Sequence, residues 1–325
     1  MNNSQRLIVS SAPHLKNNVT VASAMRDVFL ALLPVTLVAI YFFQGYAVAL
    51  IAICLATAAV TEIVFRALMH KKPSLKDGSA LLTGLFVALL LPPTASWWSA
   101  ILASFIAIGI GKELMGGLGW NIFNPALLGR VAVIILAPIM PFLNTSYLPW
   151  QVDLVSQATP LAMLKQGMAM PGYGELFLAF PGGALSETSA LALLVGGGYL
   201  IYKKHINWRI PTAILATVFV LTMVAGQNPL YHLLTGGLLI GSFFMATDWV
   251  TSPIDNKGKI IFGVGIGILI VVFRVVLAPT EGVAFSILIM NAFVPSIDKA
   301  TKRPSFSEPK PITIPAAGHH QTSKN

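Results

Sequence analysis

Three stretches of this sequence hold residue types at spacings that could do chemistry. The first is Asp153-Leu-Val-Ser156-Gln-Ala158-Thr159-Pro160. Read locally, it is a turn that starts a short helix, with Ser156 as the N-cap and Pro160 in the first helical turn. The second is Gly116–Pro125, GGLGWNIFNP, which puts glycines, asparagines and a proline beside an apolar run. Irregular backbone of this kind is tolerated at membrane depth only where it is buried in protein or lines a cavity. The third is Met245–Pro253, where Thr247, Asp248, Thr251 and Ser252 could cap a broken helix or bind a cofactor. Capping is the safer reading for that turn.

Ionisable residues inside apolar runs are functional candidates by default. Glu62 and Arg66 are spaced i,i+4 and can pair on one helix face. Lys112, Glu113 and Arg130 sit near a span boundary, where snorkelling explains them fully. Arg274 and Glu281 either pair structurally or line an ion path. His232 reads as a satisfied interface histidine, and the six histidines show no ligand spacing. Cys54 lies alone inside an apolar run, so no internal disulfide forms and no cluster spacing exists.

These residues must be positioned by membrane helices. The chain has 325 residues, 55% hydrophobic and 10% charged, with mean hydropathy +0.76. A soluble domain carries about 25% charged residues. The apolar residues fall in blocks that approach the roughly 17–25 residues needed to cross a bilayer. We read about ten spans, near 28–43, 46–68, 79–91, 97–113, 125–142, 184–202, 210–226, 230–247, 260–277 and 281–295. The span at 79–91 is short and is stopped by Pro92-Pro93, which predicts a half-helix or a tilted segment. The net charge of +9 does not point to nucleic acid, because the basic residues sit in short segments between apolar runs. One side of the membrane receives Arg6, Lys16, Arg26, Lys71, Lys72, Lys76, Lys203, Lys204, Arg209, Lys257, Lys259 and the basic tail. The loops of the other side receive Lys165 alone. That bias puts both termini and the Met245–Pro253 turn in the cytoplasm, with 144–183 as one large outer loop. Trp97, Trp98, Trp150 and Trp208 fit interfacial anchoring.

The chain also echoes itself. Leu81-Leu82-Thr83-Gly84 recurs as Leu233-Leu234-Thr235-Gly236, and Ile108-Gly109-Ile110-Gly111 as Val264-Gly265-Ile266-Gly267. Asn121-Ile-Phe-Asn124-Pro125 has a looser partner in Asn291-Ala-Phe-Val-Pro295. Five spans per half would make the halves inverted copies, an arrangement that sets a site between broken helices near the midplane. The expected layout is a cytoplasmic segment (1–27), a first membrane repeat (28–142), an outward loop (143–183), a second repeat (184–298) and a disordered cytoplasmic tail (299–325).

Several of these motifs together resemble one family. Asp77-Gly78-Ser79-Ala80-Leu81-Leu82-Thr83-Gly84, Gly116-Gly-Leu-Gly119 with Asn121-x-Phe-Asn124-Pro125-Ala126 and Gly129-Arg130, and Met245-Ala-Thr247-Asp248-x-Val-Thr251-Ser252-Pro253 all look like the RnfD/NqrB family. Its members are membrane subunits of the Rnf and sodium-pumping NADH:quinone oxidoreductase complexes. Gln157 stands where many relatives have glycine, and Trp249 where many have proline. The resemblance implies an all-α polytopic membrane protein of urea-transporter-like fold in a bacterial inner membrane. It implies that Thr159, on a periplasmic loop, carries covalent FMN as a phosphoester, with Asp153 and Ser156 recognised by the flavin transferase. It also brings a second, non-covalent flavin, riboflavin. Gly119, Asn121, Asn124, Thr247, Asp248, Thr251 and Ser252 are its candidate contacts, although for Gly116–Asn124 a tight, internally satisfied turn is equally compatible.

The function implied is electron relay in a complex that couples ferredoxin/NAD electron transfer to Na⁺ or H⁺ movement. The partners implied are the other Rnf subunits (A, B, C, E and G), with the outward-facing, flavin-carrying G subunit as electron donor. Alone, such a protein would have no turnover. The competing reading is a solute channel or transporter of the same fold, which has no use for a flavin-acceptor sequence.

Overall fold

The computed structural model describes residues 20–71, 74–140, 142–143, 160–161, 163, 170–180, 182–276 and 281–301. Asp153, Ser156 and Thr159, the N-terminal segment to residue 19 and the tail after Thr301 lie outside the described residues. Among the described residues all regular structure is helical.

Helix α1 (Val21–Leu68) starts ahead of the expected residue 28 because Thr20 caps it. Thr20 Oγ1 accepts from the Ser23 amide at 3.1 Å, and Ser23 Oγ accepts from the Thr20 amide at 3.0 Å, a reciprocal capping box. As a straight rod, α1 would run about 72 Å, more than twice the thickness of a bilayer core. It is broken instead at Gln44, with φ 47 and ψ −126. Met25 packs beside Gly78, and Glu62 is joined through Lys112 to Ser79. Residues 25 and 62 therefore meet at one place, and the arms 21–43 and 45–68 fold back on each other. The chain reverses where Gln44-Gly45 interrupts an apolar run flanked by Tyr41 and Tyr46.

Helix α2 (Ser79–Leu90) is a half-helix. Asp77 lies just ahead of its N-cap, Gly78, and accepts from the Ser79 amide at 2.8 Å and from the Ser79 hydroxyl at 2.6 Å. Its 12 residues cover about 18 Å at 1.5 Å each, short of a crossing, before Pro92-Pro93 stops it. Helix α3 (Trp97–Phe105) runs on as a π-helical stretch, Ile106–Glu113. Helix α4 (Pro125–Leu136) lies directly on α3. A Cβ on Gly129 would come within 2.2 Å of the Ala103 carbonyl oxygen, so only glycine permits this approach.

After a short α5 (Tyr173–Leu178) come α6 (Ala190–Tyr202), α7 (Arg209–Val224) and α8 (Pro229–Leu234). Helix α9 (Leu238–Ile240) continues as a π turn, Gly241–Met245. Helices α10 (Asn256–Val276) and α11 (Gly282–Thr301) follow. Gly196 of α6 lies against the Ala31 carbonyl of α1, and Gly263 of α10 against the Ile210 carbonyl and Ala213 of α7. Helices α1, α10 and α11 are long and apolar enough to cross a membrane. Large apolar side chains such as Leu37, Val60, Ile139 and Val224 face outward. A soluble monomer rarely exposes this much contiguous apolar surface, whereas lipid tails accept it.

Candidate functional site

The start of α2, the end of α3, the glycine–asparagine loop and the turn after Met245 surround one cavity of about 370 Å³. Gly119, Asn121, Asn124, Thr247 and Asp248 line it, so five of the seven candidate contact residues come together from two distant stretches. Thr251 and Ser252 do not. The Thr251 hydroxyl donates to Asp248 Oδ2 at 3.0 Å, and its carbonyl accepts from Asn291 Nδ2 at 2.9 Å. Ser252 faces a neighbouring groove beside Trp249 and Asn207. Both residues shape the turn and stay off the cavity wall.

The loop's glycines have a geometric reason. Gly116, Gly117 and Gly119 have φ of 121°, 101° and 95°, a region that side chains disfavour. Asn124 then ends the loop as the N-cap of α4, its Oδ1 accepting from the amides of Ala126 and Leu127 at 3.1 and 3.3 Å. Its Nδ2 donates to the Met245 carbonyl at 3.2 Å, and its amide donates to Asn291 Oδ1 at 3.2 Å. This side chain therefore clamps the loop to the second half of the chain. Asn121 donates to the Phe123 carbonyl at 3.2 Å and hydrogen-bonds Asp248. Burial pushes the Asp248 carboxyl above its ordinary value, against hydrogen bonds from Thr251, the Val250 and Trp249 amides, and Asn121. Trp249, where the resemblance leads one to expect proline, donates its indole N–H to the His205 carbonyl at 2.6 Å.

Lys112 is the site residue that sequence reading missed. The expectation of snorkelling at a boundary is overturned for this residue and for Glu113, because both are buried. The Lys112 ammonium reaches Ser79 Oγ at 2.7 Å and Glu62 Oε2 at 3.0 Å, and both Lys112 and Ser79 line the cavity. Arg66 bridges Glu62 at 3.3 Å, as its i,i+4 spacing implies, and also Glu113 at 3.4 Å. Ser74 donates to Glu62 as well. Nothing local in the sequence links residues 62, 79 and 112. Only the reversal of α1 brings them together. His205, which lines the cavity, pairs through Nε2 with Asp27 Oδ2 at 2.7 Å, and Tyr199 donates to Asp27 Oδ1 at 3.2 Å.

Other expectations change. Arg274 and Glu281 do not pair. Arg274 donates to the carbonyls of His232, Thr235 and Gly236, while Glu281 binds Arg130 at 2.6 Å. Arg130 is buried on α4 and so does not snorkel. The break between α8 and α9 leaves carbonyls free, and the nearby guanidinium satisfies them instead of the carboxylate. His232 is buried, and neither ring nitrogen has a partner among the described residues.

The cavity volume lies within the roughly 300–1,000 Å³ of small-molecule sites. Its apolar walls, Val28, Leu82, Phe86, Phe243 and Phe244, face the convergent polar groups of Lys112, Asn121, Thr247 and Asp248. That combination suits a flat, mostly apolar ring system with hydrogen-bonding edges.

Fold and site together define an all-α membrane protein with an internal small-molecule cavity. The sequence profile of the NQR2, RnfD, RnfE family matches residues 8–307, and the chain belongs to that family. It is 43% identical over 304 residues to the D subunit of the Na(+)-translocating ferredoxin:NAD(+) oxidoreductase complex of Acetobacterium woodii, covering 92% of this chain and 95% of the relative. It is 40% identical over 319 residues to the D subunit of the proton-translocating ferredoxin:NAD(+) oxidoreductase complex of Clostridium ljungdahlii, covering 92% and 95%. The D subunit of the ion-translocating oxidoreductase complex of Stutzerimonas stutzeri is 40% identical over 317 residues, covering 86% and 90%.

Proposed function

We propose that this chain is the D subunit of an Rnf-type complex in a bacterial inner membrane, relaying electrons while the complex moves Na⁺ or H⁺. The observation that carries this is the end-to-end match to proteins of that name at 40–43% identity. One of these relatives is named for sodium and the other for protons at nearly equal identity, so overall likeness does not select the ion. The partners are the other subunits of the complex, with the G subunit as the electron donor on the outer side.

The redox role rests on the acceptor sequence around Thr159. A flavin transferase recognising Asp153 and Ser156 would join FMN to the Thr159 hydroxyl through phosphate, on a loop that the Lys/Arg bias assigns to the outer face. The bound flavin would supply one-electron chemistry, with the protein tuning its potential. A second flavin, riboflavin, would occupy the 370 Å³ cavity, where Gly119, Asn121, Thr247, Asp248 and Lys112 are the groups available to hold it.

The reading of ten spans in two inverted repeats counts the two arms of α1, α2, α3, α4, α6, α7, α8 with α9, α10 and α11. It is supported by matching contacts. The second arm of α1 packs on the α3 stretch through Phe65 against Gly109, as α7 packs on α10 through Thr217 against Gly267, with both glycines in the echoed stretch. The echoed asparagine motifs also meet, through the Asn124 amide and Asn291 Oδ1.

The test is in-gel flavin fluorescence of the denatured chain, expressed in cells that contain the transferase. A fluorescent band that disappears in Thr159→Ala at normal expression supports the reading. A dark wild-type band removes the covalent flavin and favours a plain solute channel.

A further inference from the structure

We propose that Ser186 and Glu187, in a second cavity between the two halves of the chain, form a binding site for one small monovalent cation, a proton or Na⁺. The cavity is about 30 Å³. That is room for one or two water-sized particles and excludes any organic solute. Arg130 of α4, Ser186 and Glu187 of the 3₁₀ turn Leu185–Thr188, Gly236, Gly237 and Glu281 line it.

The charges around the cavity are committed unevenly. Arg130 pairs with Glu281 at 2.6 Å. Arg274 of α10 spends its guanidinium on the carbonyls of His232, Thr235 and Gly236. Glu187 is left with a hydrogen bond from the Gly236 amide and no direct ion pair among the described residues, with Arg274 and Arg130 acting on it only through space. A carboxylate in the interior without a paired cation either takes up a proton or binds a metal cation.

The second observation is independent of charge. Ser186 lines the same cavity at 1% exposure, and its hydroxyl has no partner among the described residues. A buried hydroxyl without a partner is costly and rare in folded proteins. Beside a carboxylate that has no direct ion pair, in a cation-sized space, it supplies a further oxygen ligand, or a hydrogen-bond partner for the protonated acid.

The site also has a neighbour that can transmit occupancy. The π turn Gly241–Met245 carries Gly241 and Met245 on the wall of the small cavity and Phe243 and Phe244 on the wall of the large one. Single π turns are frequent at functional sites. A cation beside Glu187 and a group in the large cavity thus both contact residues of one turn. Assigning this site to the ion route rests on the ion-translocating reading above. The presence of the site does not.

The test is infrared difference spectroscopy of the purified complex, wild type against Glu187→Gln, titrated with pH in sodium-free buffer and with NaCl at fixed pH. A carboxyl band that changes with pH and is absent from Glu187→Gln identifies the proton. A band lost on adding NaCl and absent from Glu187→Gln identifies Na⁺. A wild-type spectrum unmoved by either titration, or a moving band that persists in Glu187→Gln, overturns the site. If Glu187→Gln does not assemble, Ser186→Ala leaves the carboxyl in place. A shifted Glu187 band in that variant supports the site, and an unchanged one overturns it. Flavin fluorescence of the same samples keeps the two proposals apart. A dark gel with an exchanging carboxyl sinks the flavin reading only, and a bright gel with a silent carboxyl sinks this one only.

Discussion

Replacing Lys112 with methionine tests whether the ion network beside the large cavity holds the first half of the chain together. Glu62, Arg66, Lys112 and Glu113 carry charges that sum to zero, and the side chains of Glu62, Lys112 and Glu113 are at most 2% exposed. Lys112→Met removes the 3.0 Å partner of Glu62 and the 2.7 Å donor to Ser79, leaving one uncompensated buried carboxylate. Breaking a buried pair from one side costs about 3–5 kcal/mol. For a chain this long, roughly 2 °C per kcal/mol gives a fall in Tm of about 6–10 °C. The double variant Glu62→Gln, Lys112→Met removes one charge of each sign, and the new side-chain amide can still accept from the Ser74 hydroxyl. It should recover most of that loss, because a neutral amide costs far less to bury than an unpaired charge. The assay is thermal denaturation of the detergent-solubilised complex, read by size-exclusion chromatography. A single variant as stable as wild type, or a double variant less stable than the single, would refute the assignment of these residues as one charge-balanced unit.

Two further outcomes follow from local geometry. Gln44→Gly should raise thermal stability by roughly 1–3 kcal/mol, since φ 47 with ψ −126 is strained for glutamine and free for glycine, and a lower Tm would show that Gln44 is held by something else. Asp248 has its carboxyl pushed above its ordinary value of 3.8 by burial. Between the unfolded and the folded value the native state therefore binds more protons, and stability falls as pH rises through that window. Asp248→Asn should flatten this part of the Tm–pH curve, and an identical curve in wild type and variant would contradict the burial argument.

Much of this protein was legible before any fold was known, because lipid imposes strong local rules. Apolar block length gave the membrane class, and Pro92-Pro93 gave the short α2. The Glu62–Arg66 pair followed from i,i+4 spacing, since that distance is fixed within one helix. Glycines 116, 117 and 119 announced the irregular loop, and their positive φ values are what glycine is for. The membership of the family lay in motifs strung along the whole chain.

What the tertiary structure alone decided is who faces whom across long sequence separations. Lys112 reads in sequence as a snorkelling cation at a span boundary, and it is the reversal at Gln44 that lays Glu62 beside it. Arg274 and Glu281, close in sequence, took partners elsewhere because the break between α8 and α9 exposes carbonyls and Arg130 lies nearer to Glu281. Thr251 and Ser252 belonged to the right turn but pointed away from the cavity that Thr247 and Asp248 line. A sequence fixes helices through contacts three or four residues apart. The pairing of buried charges depends on helix packing, which no local pattern records.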